Sequence, residues 1–124
     1  MPYLVAMIEN QVVAFAYALP YRPRPAYRYT VEHSIYVDRS WRRQGIGKQL
    51  LDRLVELLTG CGIREIIGII GDSANEASLL AHESAGFHQV GTLQNVGRKF
   101  DRWLDTVIVQ RSLSPSATQA AEVQ

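Results

Sequence analysis

The segment best suited to chemistry lies where a β-rich run changes to a helical one, within YVDRSWRRQGIGKQLLDRL (Tyr36–Leu54). Its centre reads Arg42, Arg43, Gln44, Gly45, Ile46, Gly47 and Lys48. The start of a helix offers unpaired backbone N–H groups and the positive end of the helix dipole. Glycine lets a bulky anion approach that backbone closely. The segment is therefore a candidate site for a phosphate ligand, with the three basic side chains supplying charge.

Two familiar phosphate loops do not fit this segment. A P-loop requires Ser or Thr after its lysine and a glycine six residues before that lysine, whereas Gln49 follows Lys48 and Arg42 stands at the glycine position. A dinucleotide fingerprint requires a third glycine where Leu50 stands. The pattern Arg/Gln-x-x-Gly-x-Gly/Ala, by contrast, is matched in full by Arg42–Gly47. Taken alone, the pattern leaves a binding loop and a plain tight turn about equally open.

A few other side chains carry reactive or charged groups. Glu32 lies in an otherwise apolar strand segment, where a solvent-facing carboxylate is the simpler interpretation. His82 lies in a short helical segment and is equally well explained as a core histidine. Arg22 and Arg24 lie in a proline-rich loop, and a guanidinium suits a carboxylate or phosphinate through paired hydrogen bonds. Strand alternation directs His33 to the face opposite Glu32, and we interpret it as structural.

Composition limits the classes of function. The 124 residues suffice for one domain, and the formal net charge of +1 argues against a dedicated nucleic-acid binder. Cys61 is the only cysteine, which excludes an intrachain disulfide and a cysteine zinc cluster and fits a reducing compartment. No apolar run has the length of a membrane span, and the N-terminus lacks a secretory pattern. We expect a soluble, cytoplasmic protein that binds neither nucleic acid nor membrane.

Periodicity and turn residues predict the elements that position these groups. The expected elements are a hairpin of residues 3–9 and 11–19, a strand over 29–37, a helix over 46–58 ended by Gly60 and Gly62, a strand over 63–70 covered on both faces, a short helix over 76–86 capped at Asn75, and closing strands over 87–93 and 103–111. The polar link at 94–102 is of uncertain form. The order ββ–β–α–β–α–ββ predicts an α/β (α+β) mixed sheet with helices on its faces. Residues 1–113 are expected to form one domain, followed by a disordered tail over 114–124.

Four separated motifs in this order resemble a known family. Besides Arg42–Gly47, the segment NEASLLAHESAGF matches the pattern N-x-x-S/A-x-x-x-Y/H-x-x-x-G-F/Y. TVEHSIYV and VGRKFDRWLD resemble a narrower group within that family. From Pro2 to Leu113 the chain is thus similar to the GCN5-related N-acetyltransferases (GNAT), and in particular to the phosphinothricin and methionine sulfoximine N-acetyltransferases. The resemblance implies the GNAT acyl-CoA N-acyltransferase fold and acetyl-CoA as co-substrate, with no metal.

The resemblance also implies where acetyl-CoA binds. The pantetheine arm is expected along the strand before the turn, and the pyrophosphate on the turn itself. The implied cofactor-binding residues are Ile35, Tyr36, Val37, Arg42, Arg43, Gln44, Gly45, Ile46, Gly47, Lys48, Asn75 and Ser78. The Asn75 side chain is free for the arm only if Asp72 or Ser73 caps the second helix instead.

Catalytic and acceptor-binding roles are implied in the same way. Glu32 matches the general base of this group and would act directly or through a water. His82 would lie near the CoA sulfur, where it would protonate the departing thiolate or bind the substrate. Arg22, Arg24 and Val31 would border the acceptor together with Glu32. The segment Gly97–Asp105 implies a homodimer.

The chain departs from the family at its start. Acetyltransferases of this kind begin with a strand and a helix pair before the hairpin, whereas this sequence begins at the hairpin, so the fold is expected to be N-terminally shortened and the acceptor pocket partial. Two functions follow: an N-acetyltransferase acting on small amino acids or their toxic analogues, or a catalytically weak acyl-CoA-binding domain acting as a partner or sensor. Glu32 favours the enzyme, and the missing layer favours the binding domain. A peptide or aminoglycoside acetyltransferase would need an acidic groove, which the arginines oppose.

Overall fold

The computed structural model describes residues 2–71 and 75–113. The elements are β1 (Tyr3–Ile8), β2 (Gln11–Pro20), β3 (Thr30–Val37), α1 (Ile46–Gly60), β4 (Glu65–Ile70), α2 (Glu76–Ser84), β5 (His88–Lys99) and β6 (Arg102–Ser112), with single 3₁₀ turns at Pro25–Tyr27 and Arg39–Trp41. The predicted order of strands and helices is confirmed. The expected tail at 114–124 and the alternative caps Asp72 and Ser73 lie outside the described residues.

The six strands form one mixed sheet in the order β1-β2-β3-β4-β6-β5. β3 and β4 are parallel, and the other neighbours are antiparallel. The pairing of β3 with β4 ends at His33 and Gly68. On its other side, however, β3 stays paired with β2 as far as Val37. Residues 34–37 therefore keep a strand conformation while the edge that faces β4 is unpaired, which opens a cleft between the two strands.

The core lies between the sheet and helix α1. The apolar stripe predicted for this helix is buried, with Leu51, Leu54 and Leu58 each 0% exposed. They share one core cluster with alanines at alternate positions of β2 and with Val31 of β3. Small side chains on the sheet allow a leucine-rich helix to approach closely, and each buried leucine stabilises the fold by about 1.5–3 kcal/mol. This packing fixes the position of the helix N-terminus beside the cleft.

The opposite face of the sheet carries a row of aromatic rings. Tyr3, Phe15, Tyr17 and Tyr36 stack face to face, with ring centroids 5.5–6.2 Å apart. Several apolar side chains elsewhere on the chain are also exposed, including Met7 (57%) and Leu19 (55%).

The prediction that β4 is covered on both faces is wrong, because Ile66 is buried whereas Ile69 is 45% exposed. Both helices pack on the same side of the sheet.

The polar link at 94–102, whose form the sequence left open, is strand for most of its length. β5 continues to Lys99 and pairs with β6 down to Lys99↔Arg102. The register shifts between Leu93 and Gly97, and Asn95 in that interval has a positive φ of 57°. A bulge absorbs residues that do not fit a regular ladder. The polar and glycine residues of the link carry no strand signal, because this part of the hairpin pairs only strand to strand and buries little apolar surface.

Candidate active site

The cleft between β3 and β4 opens into a cavity of about 350 Å³. Its walls come from the end of β3, the turn before α1, the start of α1 and the face of α2. The lining residues are Ile35, Tyr36, Val37, Trp41, Arg42, Arg43, Gly45, Gly47, Lys48, Leu51, Asn75, Ala77, Ser78, Leu80, Ala81, His82 and Ser84. The unpaired strand edge can bond to an extended ligand as a further strand would. The cavity thus suits a long, narrow ligand with amide groups.

The N-terminus of α1 presents free backbone donors to this cavity. Gly45 is the N-cap residue, and no side chain caps the helix. Its φ of +80° lies in the left-handed region, and a side chain added there would meet no atom within 4 Å. The glycine is therefore required by backbone conformation, while the space in front of it is open. The first turn carries no acidic residue, so the helix dipole favours an anion at this point.

The three basic side chains near this turn differ in how they are held. Arg42 donates from Nε to the carbonyl of Val37 at 3.2 Å, which ties the turn to the end of β3. Lys48 forms an exposed ion pair with Asp52 at 2.7 Å. Such surface pairs contribute little and exchange readily with another anion. Arg43 makes no hydrogen bond or ion pair to the described residues and lines the cavity. Arg43 is thus the cation most available to a bound phosphate.

Helix α2 is fixed at both ends. At its N-terminus Asn75 is the cap, and its Oδ1 accepts a hydrogen bond from the backbone N–H of Ser78 at 3.2 Å. At its C-terminus the Arg111 guanidinium donates to the carbonyl of Ala85. A cation at this end also complements the helix dipole. The Asn75 oxygen is therefore used by the cap, and only its amide N–H groups remain for a ligand.

His82 lies on the inner face of α2 and contacts His33 of β3. The two Nε2 atoms are 3.0 Å apart, and His82 Nδ1 lies 2.7 Å from the carbonyl oxygen of Ser78. Burial, and then the repulsion between the two rings, lowers the pKa of His33 to about 3. Burial also lowers the pKa of His82, although the Ser78 carbonyl opposes this in part. Both rings are therefore neutral at physiological pH, and both nitrogens of His82 are engaged within the protein.

Glu32 and the loop arginines lie away from the cavity lining. Alternation along β3 places Glu32 on the face of the aromatic row, and its partner on β4 is Ile67, one position before the strands diverge. The Arg22 guanidinium lies 4.0 Å from the centre of the Tyr21 ring and donates a hydrogen bond of 2.8 Å to the backbone carbonyl of Tyr21. Arg24 is exposed at the start of the 3₁₀ turn. Val31 is 0% exposed in the helix-side core, so its side chain is not available to a ligand.

The structure thus brings together most of the predicted cofactor residues, but not the catalytic pair. Glu32 and His82 lie on opposite faces of β3, close to the point where β3 and β4 separate. Gln44 is exposed, and Ile46 packs against the core, so neither side chain forms part of the cavity wall. Several lining residues were not predicted: Trp41, Leu51, Ala77, Leu80, Ala81 and Ser84. Ala81 and Ser84 follow Ser78 at successive intervals of three residues, which is a helical spacing and a signal that the sequence did contain.

The described residues show no group of three or more His, Cys, Asp or Glu side chains placed to hold a metal ion. Among the same residues, no helix has the length and apolar character needed to cross a membrane.

Comparison with known proteins identifies the family. The model of the acetyltransferase (GNAT) family matches residues 1–87. The chain is 45% identical to the phosphinothricin N-acetyltransferase of Alcaligenes faecalis over 98% of its own length and 62% of that protein. It is 39% identical to the L-methionine sulfoximine/L-methionine sulfone acetyltransferase of Pseudomonas aeruginosa, over 93% of the chain and 67% of that protein. The chain therefore spans about two thirds of the length of these curated relatives.

A solved structure agrees with the sequence matches. The phosphinothricin acetyltransferase (Pat) of Sinorhizobium meliloti, in complex with AcCoA, superposes with a TM-score of 0.87 at 42% identity. The match covers 94% of the chain and 63% of that protein. The resemblance and the fold predicted from the four motifs are both confirmed. The chain belongs to the acetyltransferase (GNAT) family and is similar in sequence to its phosphinothricin and methionine sulfoximine acetyltransferases.

Proposed function

We propose that the protein transfers an acetyl group from acetyl-CoA to the amine of a small amino acid or a toxic analogue of the phosphinothricin or methionine sulfoximine type. The observation that carries this proposal is the divergence of β3 and β4 beside the uncapped N-terminus of α1. The open strand edge of residues 34–37 suits the amides of pantetheine, and the helix start with Arg43 suits the pyrophosphate. The substrate class is supported by the names of the relatives.

The proposed reaction needs a base on the acceptor side. The amine nitrogen attacks the thioester carbonyl carbon, the amine proton passes to the Glu32 carboxylate directly or through a water, and the C–S bond breaks. The sulfur leaves as the thiolate of coenzyme A and takes up a proton from water. Glu32 suits this role because it lies one position from the end of the β3–β4 pairing, where a thioester threaded through the cleft would emerge on the face opposite α2. Arg22 and Arg24, in the loop that precedes β3, would attract the acceptor's acidic group.

A catalytically weak acyl-CoA-binding domain is the second candidate. One observation favours it: the Glu32 side chain makes no hydrogen bond or ion pair with the described residues, so nothing among them orients its carboxylate. A general base usually needs such positioning. On this alternative the cleft would still bind acetyl-CoA, and the exposed apolar face would contact a partner.

Turnover separates the two candidates. The protein is incubated with acetyl-CoA and a panel of phosphinothricin, methionine sulfoximine, methionine sulfone, unmodified amino acids and a cationic aminoglycoside, and free thiol is measured. We expect acetylation of one or more of the small zwitterionic amines and none of the aminoglycoside. Tight binding of acetyl-CoA without turnover of any amine would favour the binding domain.

Assembly and location belong to the same proposal. We infer a homodimer, because the β5–β6 hairpin exposes Phe100 (84%) and Trp103 (61%) and the aromatic face is open as well. Large exposed apolar patches commonly mark contact surfaces. The single cysteine and the type of substrate fit a cytoplasmic protein. Residues 1–113 would form the acetyltransferase domain.

A further inference from the structure

The contact between His33 and His82 is the most deeply buried polar pair among the described residues. The two side chains are 4% and 1% exposed, and their rings stack with centroids 5.0 Å apart. Phe87 packs edge-on against both rings, at 5.3 and 5.2 Å. Gly68 leaves the room that the pair needs, since a Cβ at this position would lie 2.6 Å from His33 Nε2. The pair therefore joins α2 to β3 at the last paired position of β3 and β4.

The hydrogen-bond partners determine where the protons lie. The carbonyl oxygen of Ser78 can only accept, so His82 must carry its proton on Nδ1. In the neutral ring, His82 Nε2 is then unprotonated and can only accept a hydrogen bond. His33 must donate to it from Nε2, because two lone pairs 3.0 Å apart would repel. The neutral pair thus has one consistent arrangement: His82 protonated at Nδ1 and His33 at Nε2.

A positively charged His82 does not fit this arrangement. Its second proton would lie on Nε2 and would point at the proton that His33 already donates. His33 would have to move its own proton to Nδ1. The Ser78–His82 bond would persist, but Nδ1 of His33 has no hydrogen-bond partner among the described residues. The Ser34 backbone favours the charged ring and raises its pKa, but burial and the repulsion from His82 outweigh that effect. A buried donor without an acceptor is costly.

We propose that His33 is a positioning residue of the acetyl-CoA site: its Nε2–H occupies the only free lone pair of His82, holding His82 neutral and α2 in place at the mouth of the cleft. This inference rests on the proposed function, because the site it organises is the one proposed for acetyl-CoA. The turn of α2 held in this way presents Ser78 and Ala81 to the cavity. His82, with both nitrogens engaged, does not protonate the departing thiolate. The role first predicted for His82 as a proton donor is thereby replaced by a role in placing α2.

The proton positions can be measured directly, without activity. The chain has three histidines, so long-range ¹H–¹⁵N correlation spectra of the ¹⁵N-labelled protein at pH 7 can be assigned with the single variants His33→Gln, His82→Phe and His88→Gln. We expect His82 as the neutral Nδ1–H tautomer and His33 as the neutral Nε2–H tautomer. Finding His82 charged, or protonated at Nε2 alone, would overturn the proposal. The wild-type spectrum decides the matter even where a variant fails to fold.

Kinetic measurements then distinguish a positioning role of His33 from a role in packing alone. Gln can donate an amide N–H from nearly the same point as His Nε2, whereas Leu fills the space and donates nothing. We expect His33→Leu to lower kcat by roughly 10–100-fold through displacement of α2, as small misplacements near a reacting centre do. His33→Gln should stay close to wild type. Equal losses in both variants, or none in either, would contradict a role that depends on the donated hydrogen.

This design keeps the two proposals apart. A wild type that acetylates no amine would count against the proposed acetyltransferase, while the tautomers would still be read from the same sample. In that event acetyl-CoA affinity replaces kcat as the measure: His33→Leu should weaken binding and His33→Gln should not. His88→Gln, which removes an exposed histidine, is the matched control and should leave kcat and affinity unchanged.

Discussion

Acidification should destabilise this protein through the buried His33. The pKa of His33 falls from 6.5 in the unfolded chain to about 3 in the folded protein. Between these two values the unfolded chain binds a proton that the folded protein excludes, so the free energy of unfolding falls as the pH falls. The contribution of the neutral His33 ring to the free energy of unfolding is fully present above pH 6.5 and is lost progressively as the pH falls toward 3. His82 acts in the same direction, because its pKa is lowered as well.

The magnitude follows from this difference in pKa. For one group with these two pKa values, lowering the pH from 7 to 5 reduces the free energy of unfolding by about 2 kcal/mol. A domain of ordinary stability has only about 5–15 kcal/mol in total. With a urea m-value of about 1–3 kcal/mol/M, the midpoint should fall by roughly 1 M.

Urea unfolding at pH 7 and pH 5, followed by circular dichroism, measures this effect. Carboxyl groups also titrate between these conditions, so the comparison is made with His33→Gln, in which their contribution is retained. The variant should lose clearly less stability than the wild type on acidification, while His88→Gln should lose as much as the wild type. Equal losses in the wild type and His33→Gln would refute the assignment of the acid sensitivity to the buried pair.

Three further substitutions and one measurement test the site and the assembly. Gly45→Val should abolish acetyl-CoA binding in a folded protein, whereas Gly62→Val, at a similar φ of +81° beyond the other end of α1, should keep it; calorimetry that finds equal affinities would remove the proposed pyrophosphate site. Glu32→Gln should lower kcat by about 10²–10⁴-fold with acetyl-CoA affinity unchanged; full activity would place the base elsewhere. Gly68→Ala should cost about 1–3 kcal/mol in unfolding experiments, because the new methyl group collides with the His33 ring; an unchanged midpoint would show that the ring has room to move. Sedimentation at micromolar concentration should show a dimer, and a folded monomer would contradict the inferred assembly.

Much of the candidate site was predictable because its signals are local. Glycines around a helix start, basic residues beside them and a capping asparagine act within a few residues of one another. The same is true of the apolar stripe of α1, which the 3.6-residue repeat determines. Polar and glycine residues left the form of residues 94–102 open. There the hairpin strands pair with each other through a bulge, and composition does not distinguish such an arm from a loop.

The amino-acid sequence by itself determined the glycine turn before α1, the order of the elements and the family, since each depends on spacing along the chain. Only the tertiary structure decided where β3 parts from β4, because that depends on how helices and sheet pack together. It also decided that Glu32 and His82 lie on opposite faces and that His82 meets His33, a residue 49 positions away. The proton position in that pair follows from a carbonyl and a second ring brought together by folding, and no local pattern contains that information.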